Sequence, residues 1–411
     1  MAKVMIISLG TGRGVENGIA RSIQVNHPDI IYFIATEESQ HLIPKIETVL
    51  GKNLISEPPL ILEDAEDVEG CWKTTSQLIR NLFQNGYDPT DICIDFTSGT
   101  KAMSAGVVLA GAGYECENLS YVGGGKRDEN GRVISGTERV IILTPNEFFV
   151  DQRRRMIKDF FNLSQYEACI NLIDDARRKS MASDVQDEMD KLKLLVYAYS
   201  FWDKFDHLKA ATYFQKLQGK FDTQWNIDTD HSKEMVFRIS KQLEKYDASS
   251  NIRDKYSEEV LADLLANADR RAKEGKYDDA VARLYRAVEV VAQMLLARRN
   301  IDTSKVKIKD LPTDWQVEYR ESREPIKLGQ EKAFSLLESL GEETGREYRV
   351  NKNLRNYLSK RNSSILAHQL EPMTEQIFSE LSRETDELAR KAFPRLSSLK
   401  EKSRFPILEL I

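Results

Sequence analysis

Two short stretches of this sequence concentrate side chains that could do chemistry. The first, IDFTSGTKAMSAG (94–106), sets Thr97, Ser98, Gly99, Thr100 and Lys101 directly after the apolar run DICIDF. Hydroxyls and free backbone N–H groups at a helix start hold phosphate oxygens, glycine lets the backbone approach a ligand, and lysine adds a point charge. The second, RNSSILAH (361–368), holds Arg361, Asn362 and His368, the last histidine of the chain. Histidine exchanges protons near neutral pH, arginine clamps a phosphate and offsets charge developing on it, and Asn362 can donate to the phosphate or orient the other two. RNA carries its own nucleophile in the 2′-hydroxyl, so such a set could cleave it without a metal or a protein nucleophile. Taken singly, Arg361 is equally a salt-bridge partner and His368 a satisfied core histidine.

The elements that must position these groups differ between the two halves. Residues 1–145 alternate short β-branched runs, at 4–9, 30–35, 59–63, 91–96 and 118–123, with amphipathic stretches. Strands apolar on both faces and separated by helices predict a doubly wound α/β domain around a parallel sheet. RVISGTERVIILT (132–144) reads as a terminal hairpin turning at Ser135 and Gly136. In such a sheet, ligands sit at the carboxyl ends of the strands. Four loops fall there: Gly10-Thr11-Gly12-Arg13-Gly14, Thr36-Glu37-Glu38, Thr97 to Lys101, and Gly123 to Lys126. Any one of them is an ordinary turn by composition, but four on one edge point to a phosphorylated or nucleotide ligand. Asp95 is assigned instead to pinning its own turn. A dinucleotide fingerprint is disfavoured, because Val15 stands where the third glycine of GTGRGV belongs, and SGTK lacks the earlier glycine of a Walker loop.

After Pro145 the pattern is helical throughout. Apolar residues recur at three and four between 150 and 248, EKYDASSNIRDKYSEE (244–259) reads as a polar linker with a helix start at Ser257, and a loop is expected around 300–315. The stretch NKNLRNYLSKRNSSILAHQLEP is predicted as one helix ended by Pro372. At about 100° per residue it aligns Leu354, Leu358, Arg361, Ile365 and His368 on a single stripe. Two polar groups on an otherwise apolar stripe must either pair or line a cleft. The predicted division is 1–147, 148–252 and 253–411.

The totals fit this division. At 411 residues, with 41% hydrophobic and 30% charged side chains, the chain reads as a soluble protein of two or three domains, and a net charge of −6 argues against a general DNA-coating role. Cys71, Cys93, Cys116 and Cys169 are scattered, with no C-x-x-C pair to signal zinc or a disulfide framework. No signal peptide and no membrane span are read, and a cytoplasmic protein is expected.

SLGTG at the end of the first strand, together with DFTSGTKAMSAG, resembles the CRISPR-associated Rossmann fold, the CARF domain, over about the first 145 residues. Members of that family pair as two-fold dimers and bind cyclic oligoadenylate, the second messenger of type III CRISPR systems. The resemblance implies that Gly10, Thr11, Gly12, Thr97, Ser98, Gly99, Thr100 and Lys101 line the ring, with Glu37 and Lys126 from neighbouring loops. RNSSILAH resembles the R-N-x-x-x-x-x-H signature of the HEPN ribonucleases, and GKYDDAVARLYRAVEVVAQMLL (275–296) is similar to their first long helix. That likeness implies Arg361, Asn362 and His368 as catalytic residues, contributed by both protomers of a homodimer. It further implies metal-independent cleavage of single-stranded RNA to a 2′,3′-cyclic phosphate. The expectation is an endoribonuclease with no cofactor, activated by cyclic tetra- or hexa-adenylate. The alternatives are a ligand sensor without nuclease activity, whose helical half recruits a partner, and a dinucleotide-dependent enzyme.

Overall fold

The computed structural model describes residues 3–123, 125, 126, 129, 134, 137–179, 182–217, 224–321, 325–367 and 369–411. Two compact units emerge, Met1–Gln152 and Arg153–Ile411.

In the first unit β1 (Val4–Ser8), α1 (Val15–Asn26), β2 (Ile30–Thr36), α2 (Ile43–Leu50), β3 (Leu60–Leu62), α3 (Val68–Gln84), β4 (Ile92–Asp95), α4 (Lys101–Gly113), β5 (Asn118–Gly123) and β6 (Arg139–Leu143) follow in turn. They build a sheet of order β3-β2-β1-β4-β5-β6. β1 shows why the strands are apolar on both faces. Val4 and Ile6 join the layer of Ile79, Ile94 and Val107, while Met5 and Ile7 join that of Ile19, Phe33 and Ile46. Successive side chains point to opposite faces, and both faces carry helices. The chain winds outward from β1 to β3, then crosses back to β4 beside β1, where Ile7 pairs with Asp95. The topological switch point, where open sheets bind ligands, therefore lies between the ends of β1 and β4.

β6 pairs antiparallel with β5 at the sheet edge, with Ser120 opposite Ile142. Most of the first arm and the turn of the expected closing hairpin, including Ser135 and Gly136, lie outside the described residues.

The second unit is helical apart from one short antiparallel pair, Trp225–Asn226 with Glu409–Leu410. It comprises most of α5 (Asn146–Asn162), then α6 (Tyr166–Lys179), α7 (Ser183–Asp203), α8 (His207–Lys216), α9 (Asp230–Ser249), α10 (Glu258–Lys273) and α11 (Tyr277–Arg298). α12 (Thr313–Glu318), α13 (Gln330–Ser339), α14 (Glu343–Val350), α15 (Lys352–Arg361), α16 (Glu375–Ala392) and α17 (Leu396–Lys402) complete it. The stretch read as a polar linker is shorter than expected, because α9 runs on to Ser249. Ser257 does cap α10, accepting from the Val260 N–H at 3.2 Å. α11 buries Ala280, Leu284, Ala287, Val288, Val291 and Leu295 at helical spacing, and α10, α13, α15 and α16 pack around it.

A buried charge network joins α7 and α8 to α10. Arg270 bonds Asp203 at 3.0 Å and the Ser403 carbonyl at 3.1 Å, and lies 3.9 Å from the Phe405 ring centroid. His207 meets the fully buried Asp263 at 2.8 Å. Among the described residues no helix is long and apolar enough to cross a membrane.

Candidate ligand and active sites

At the switch point the β1 and β4 loops are stitched together. Ser8 at the end of β1 donates through Oγ to the Ser98 carbonyl, and the Gly10 N–H donates to Ser98 Oγ at 2.8 Å. A Cβ on Gly10 would sit 2.5 Å from the Gly99 Cα, so the two backbones touch and only glycine fits. Gly99 itself has φ +107°, a region that L side chains rarely adopt. Thr100 then caps α4, its Oγ1 accepting the Met103 N–H at 3.1 Å and donating to the Ala65 carbonyl. These bonds hold the turn that opens α4 against the β1 loop at Gly10; Thr11, Gly12 and Lys101, at the positive end of α4, are exposed.

Beneath the loops lies a polar layer that the sequence reading met only in part. Asp95, fully buried, accepts the Thr97 N–H at 2.9 Å, the role assigned to it above, and also accepts from Ser22 Oγ. Ser22 Oγ is 3.1 Å from Ser120 Oγ, to which Asn26 donates at 3.0 Å. Burial pushes the Asp95 carboxyl above its ordinary range, while the bonds from Ser22 and Thr97 pull it back. Ser8, Ser22 and Ser120 were missed. Serines 8 and 120 inside the apolar runs VMIIS and NLSYVG were the available signal.

The remaining candidates divide by exposure. The Thr97 hydroxyl accepts from the Val122 N–H at 2.9 Å, and Ser98 is nearly buried, so both side chains serve the scaffold. Glu37, past β2, is exposed and accepts from the Gln40 amide at 2.5 Å. Lys126, past β5, is exposed, its N–H meeting Thr137 Oγ1 at 3.0 Å.

In the second unit Asn351 caps α15, accepting from the Leu354 N–H at 2.9 Å, and Leu354 and Leu358 bury the helix against its neighbours. Arg361 is the last helical residue, which corrects the expected long helix. Asn362, Ser363 and Ser364 turn the chain instead, and Ser364, almost fully buried, bridges to Glu371. Short polar residues compete with helical bonding through local alternatives, and three in a row end the helix well before Pro372. The stripe therefore stops at Arg361, and Ile365 is 63% exposed. Asn362 is exposed, and His368 lies outside the described residues.

The Arg361 guanidinium carbon lies 4.8 Å from the centroid of the Tyr285 ring on α11, and Arg361 Nε is buried without a hydrogen-bond partner among the described residues. Burial raises the Tyr285 phenol above its usual range, Glu289 adds to this, and the Arg361 charge pulls it down. A cavity of about 980 Å³ between the α5–α6 turn, α10 and the segment around Phe405 is lined by none of these residues.

A sheet of Rossmann order followed by a helical unit, with Arg361 and Asn362 at the end of a helix seated on Leu354 and Leu358, fits the CARF–HEPN class of CRISPR-associated proteins. The model of the Csm6 6H domain matches residues 149–246 and that of the Csm6 HEPN domain residues 249–392, together more than half of the chain. The chain belongs to the Csm6 endoribonuclease family. It is 27% identical over 361 residues to the CRISPR system endoribonuclease Csm6 of Thermus thermophilus, covering 82% of this chain and 75% of that one. In fold it is similar to Enterococcus italicus Csm6 bound to cyclic hexa-2′-fluoro-hexa-dAMP, with a TM-score of 0.55 at 13% identity over 98% of both chains.

Proposed function

We propose that this protein is a homodimeric endoribonuclease that cuts single-stranded RNA once a cyclic oligoadenylate, the tetra- or hexa-adenylate ring, binds across the paired CARF domains. The observation that carries the reading is the contact between Gly10 and Gly99, which presents two glycine loops, the α4 amino terminus and Lys101 on one surface. Such a surface suits a ligand made of several phosphates. The ring in the Enterococcus italicus Csm6 structure supports cyclic oligonucleotides as the ligand class. Residues 1–147, 148–252 and 253–411 act as sensor, helical spacer and nuclease.

In the nuclease, Arg361, Asn362 and His368 of each protomer form the catalytic set. The RNA 2′-hydroxyl attacks the adjacent phosphorus and the bond to the 5′-oxygen breaks, leaving a 2′,3′-cyclic phosphate and a 5′-hydroxyl. His368 moves the proton between the two oxygens, and Arg361 offsets the charge on the phosphoryl group. The route uses the RNA's own nucleophile and calls for no metal. Activation follows if the ring binds the cutting arrangement more tightly than the resting one. The test is the chemistry of the cut ends together with His368→Ala. Cyclic phosphate termini from the native protein, and loss of cutting with ring affinity unchanged in the variant, are expected. Termini bearing a 3′-hydroxyl would overturn the mechanism.

A further inference from the structure

The Arg-Asn-His motif says nothing of what fixes the arginine. A side chain at the last position of a helix, followed by three turn residues, has lost the following helical turn that would confine it on one side. Arginine has several rotatable bonds, and aiming it at one phosphate requires something to remove that freedom. The structure supplies an aromatic face. Tyr285 sits midway along α11, in the run Leu284, Ala287 and Val288 that anchors the helix in the core, and its ring is half-buried beneath the Arg361 guanidinium at 4.8 Å.

We propose that Tyr285 is the positioning residue for Arg361: its ring face holds the guanidinium flat through a cation–π contact. The terminal nitrogens are thereby left to meet the RNA phosphate. The contact occupies a face of the guanidinium and none of its N–H bonds, so it orients the group without using the donors that catalysis needs. Arg361 Nε is buried with no hydrogen-bond partner among the described residues, so no hydrogen bond at that atom shares the task of orienting the group. A carboxylate in the same place would fix the arginine equally well but would compete with the phosphate for it. Glu289, one turn further along α11, is instead engaged by Arg286 at 2.9 Å.

The inference rests on Arg361 being catalytic, so the experiment measures both. Ring-activated cleavage of single-stranded RNA is followed for the native protein, Arg361→Ala, Tyr285→Phe, Tyr285→Leu, and a series with mono-, di- and trifluorophenylalanine at 285. Fluorination weakens the ring's attraction for cations at almost constant size. Tyr285→Phe is expected to cut within a few-fold of the native rate, and Tyr285→Leu about tenfold more slowly in kcat with KM little changed. Across the fluorinated series log kcat should fall stepwise. A trifluoro variant as fast as Tyr285→Phe would overturn the proposal, since a packing role alone is indifferent to fluorine. A fully active Arg361→Ala would overturn the catalytic assignment itself, a distinct outcome. If Tyr285→Leu does not fold, the fluorinated series still decides.

Discussion

Gly10→Ala tests the ligand platform through one methyl group. The added Cβ would lie 2.5 Å from Gly99 Cα and 2.7 Å from Gly99 N, where ordinary contact begins at 3.4 Å. The obstacle is backbone, so no side chain can rotate away, and the β1 and β4 loops must part by about 0.9 Å. That movement also stretches the Gly10 N–H to Ser98 Oγ bond, now 2.8 Å. Overpacking of this kind costs about 1–3 kcal/mol. The strain is local to two surface loops, so it should appear as a loss of ring affinity of about 10- to 100-fold rather than as unfolding. Calorimetric titration with cyclic tetra- and hexa-adenylate measures it directly, with a melting curve alongside. Ser98→Ala removes the hydrogen bond without a clash and should weaken binding by up to about tenfold. Gly113→Ala, at the far end of α4 with nothing within 4 Å of the new Cβ, should bind as the native protein does. A folded Gly10→Ala protein with native affinity for both rings would refute the reasoning that contact between these loops builds the site.

Three further outcomes follow from the same geometry. Lys101→Ala, losing the exposed cation at the start of α4, should reduce ring affinity by about tenfold or more while saturating ring restores RNA cutting; equal affinities would remove Lys101 from the site. Arg270→Met withdraws the cation shared by Asp203 and Asp263, and should destabilise the helical unit by about 3 kcal/mol, visible as a lower calorimetric transition; an unmoved transition would contradict it. Asp95→Asn should become increasingly stabilising relative to the native protein as pH rises. The folded carboxyl keeps its proton above the ordinary value of 3.8, so its contribution is complete below that value and is lost as pH climbs through the raised one. Parallel pH–stability curves would show that Asp95 is not held above its ordinary range.

How far these features could be read from sequence varied with how local their causes are. β1, β2, β4 and β5 were visible because burial on both faces leaves largely apolar runs, and the loops after β1, β4 and β5 because glycines and hydroxyls cluster there. The interlock of Gly10 with Ser98 and Gly99 was not visible, since it joins residues far apart in the chain through backbone contact. Asp95 could be read as a turn residue from its own neighbourhood, whereas its bond to Ser22 depends on α1 crossing the sheet. The 351–372 stretch departed from expectation for a different reason. Periodicity alone favoured a long helix, and the local bonding of Asn362, Ser363 and Ser364 outweighed it. Tyr285 was hidden in an ordinary helical pattern, its ring one of many until α15 brought Arg361 onto it.

The central claim is that one chain couples a ring sensor to an RNA cutter. It is tested most directly by cleavage of a fluorescent single-stranded RNA in EDTA, with and without cyclic tetra- or hexa-adenylate. The account predicts cutting that requires one of the rings, survives the chelator and disappears in His368→Ala. Ring binding without any cutting would contradict it and would make the helical half a surface for recruiting a partner.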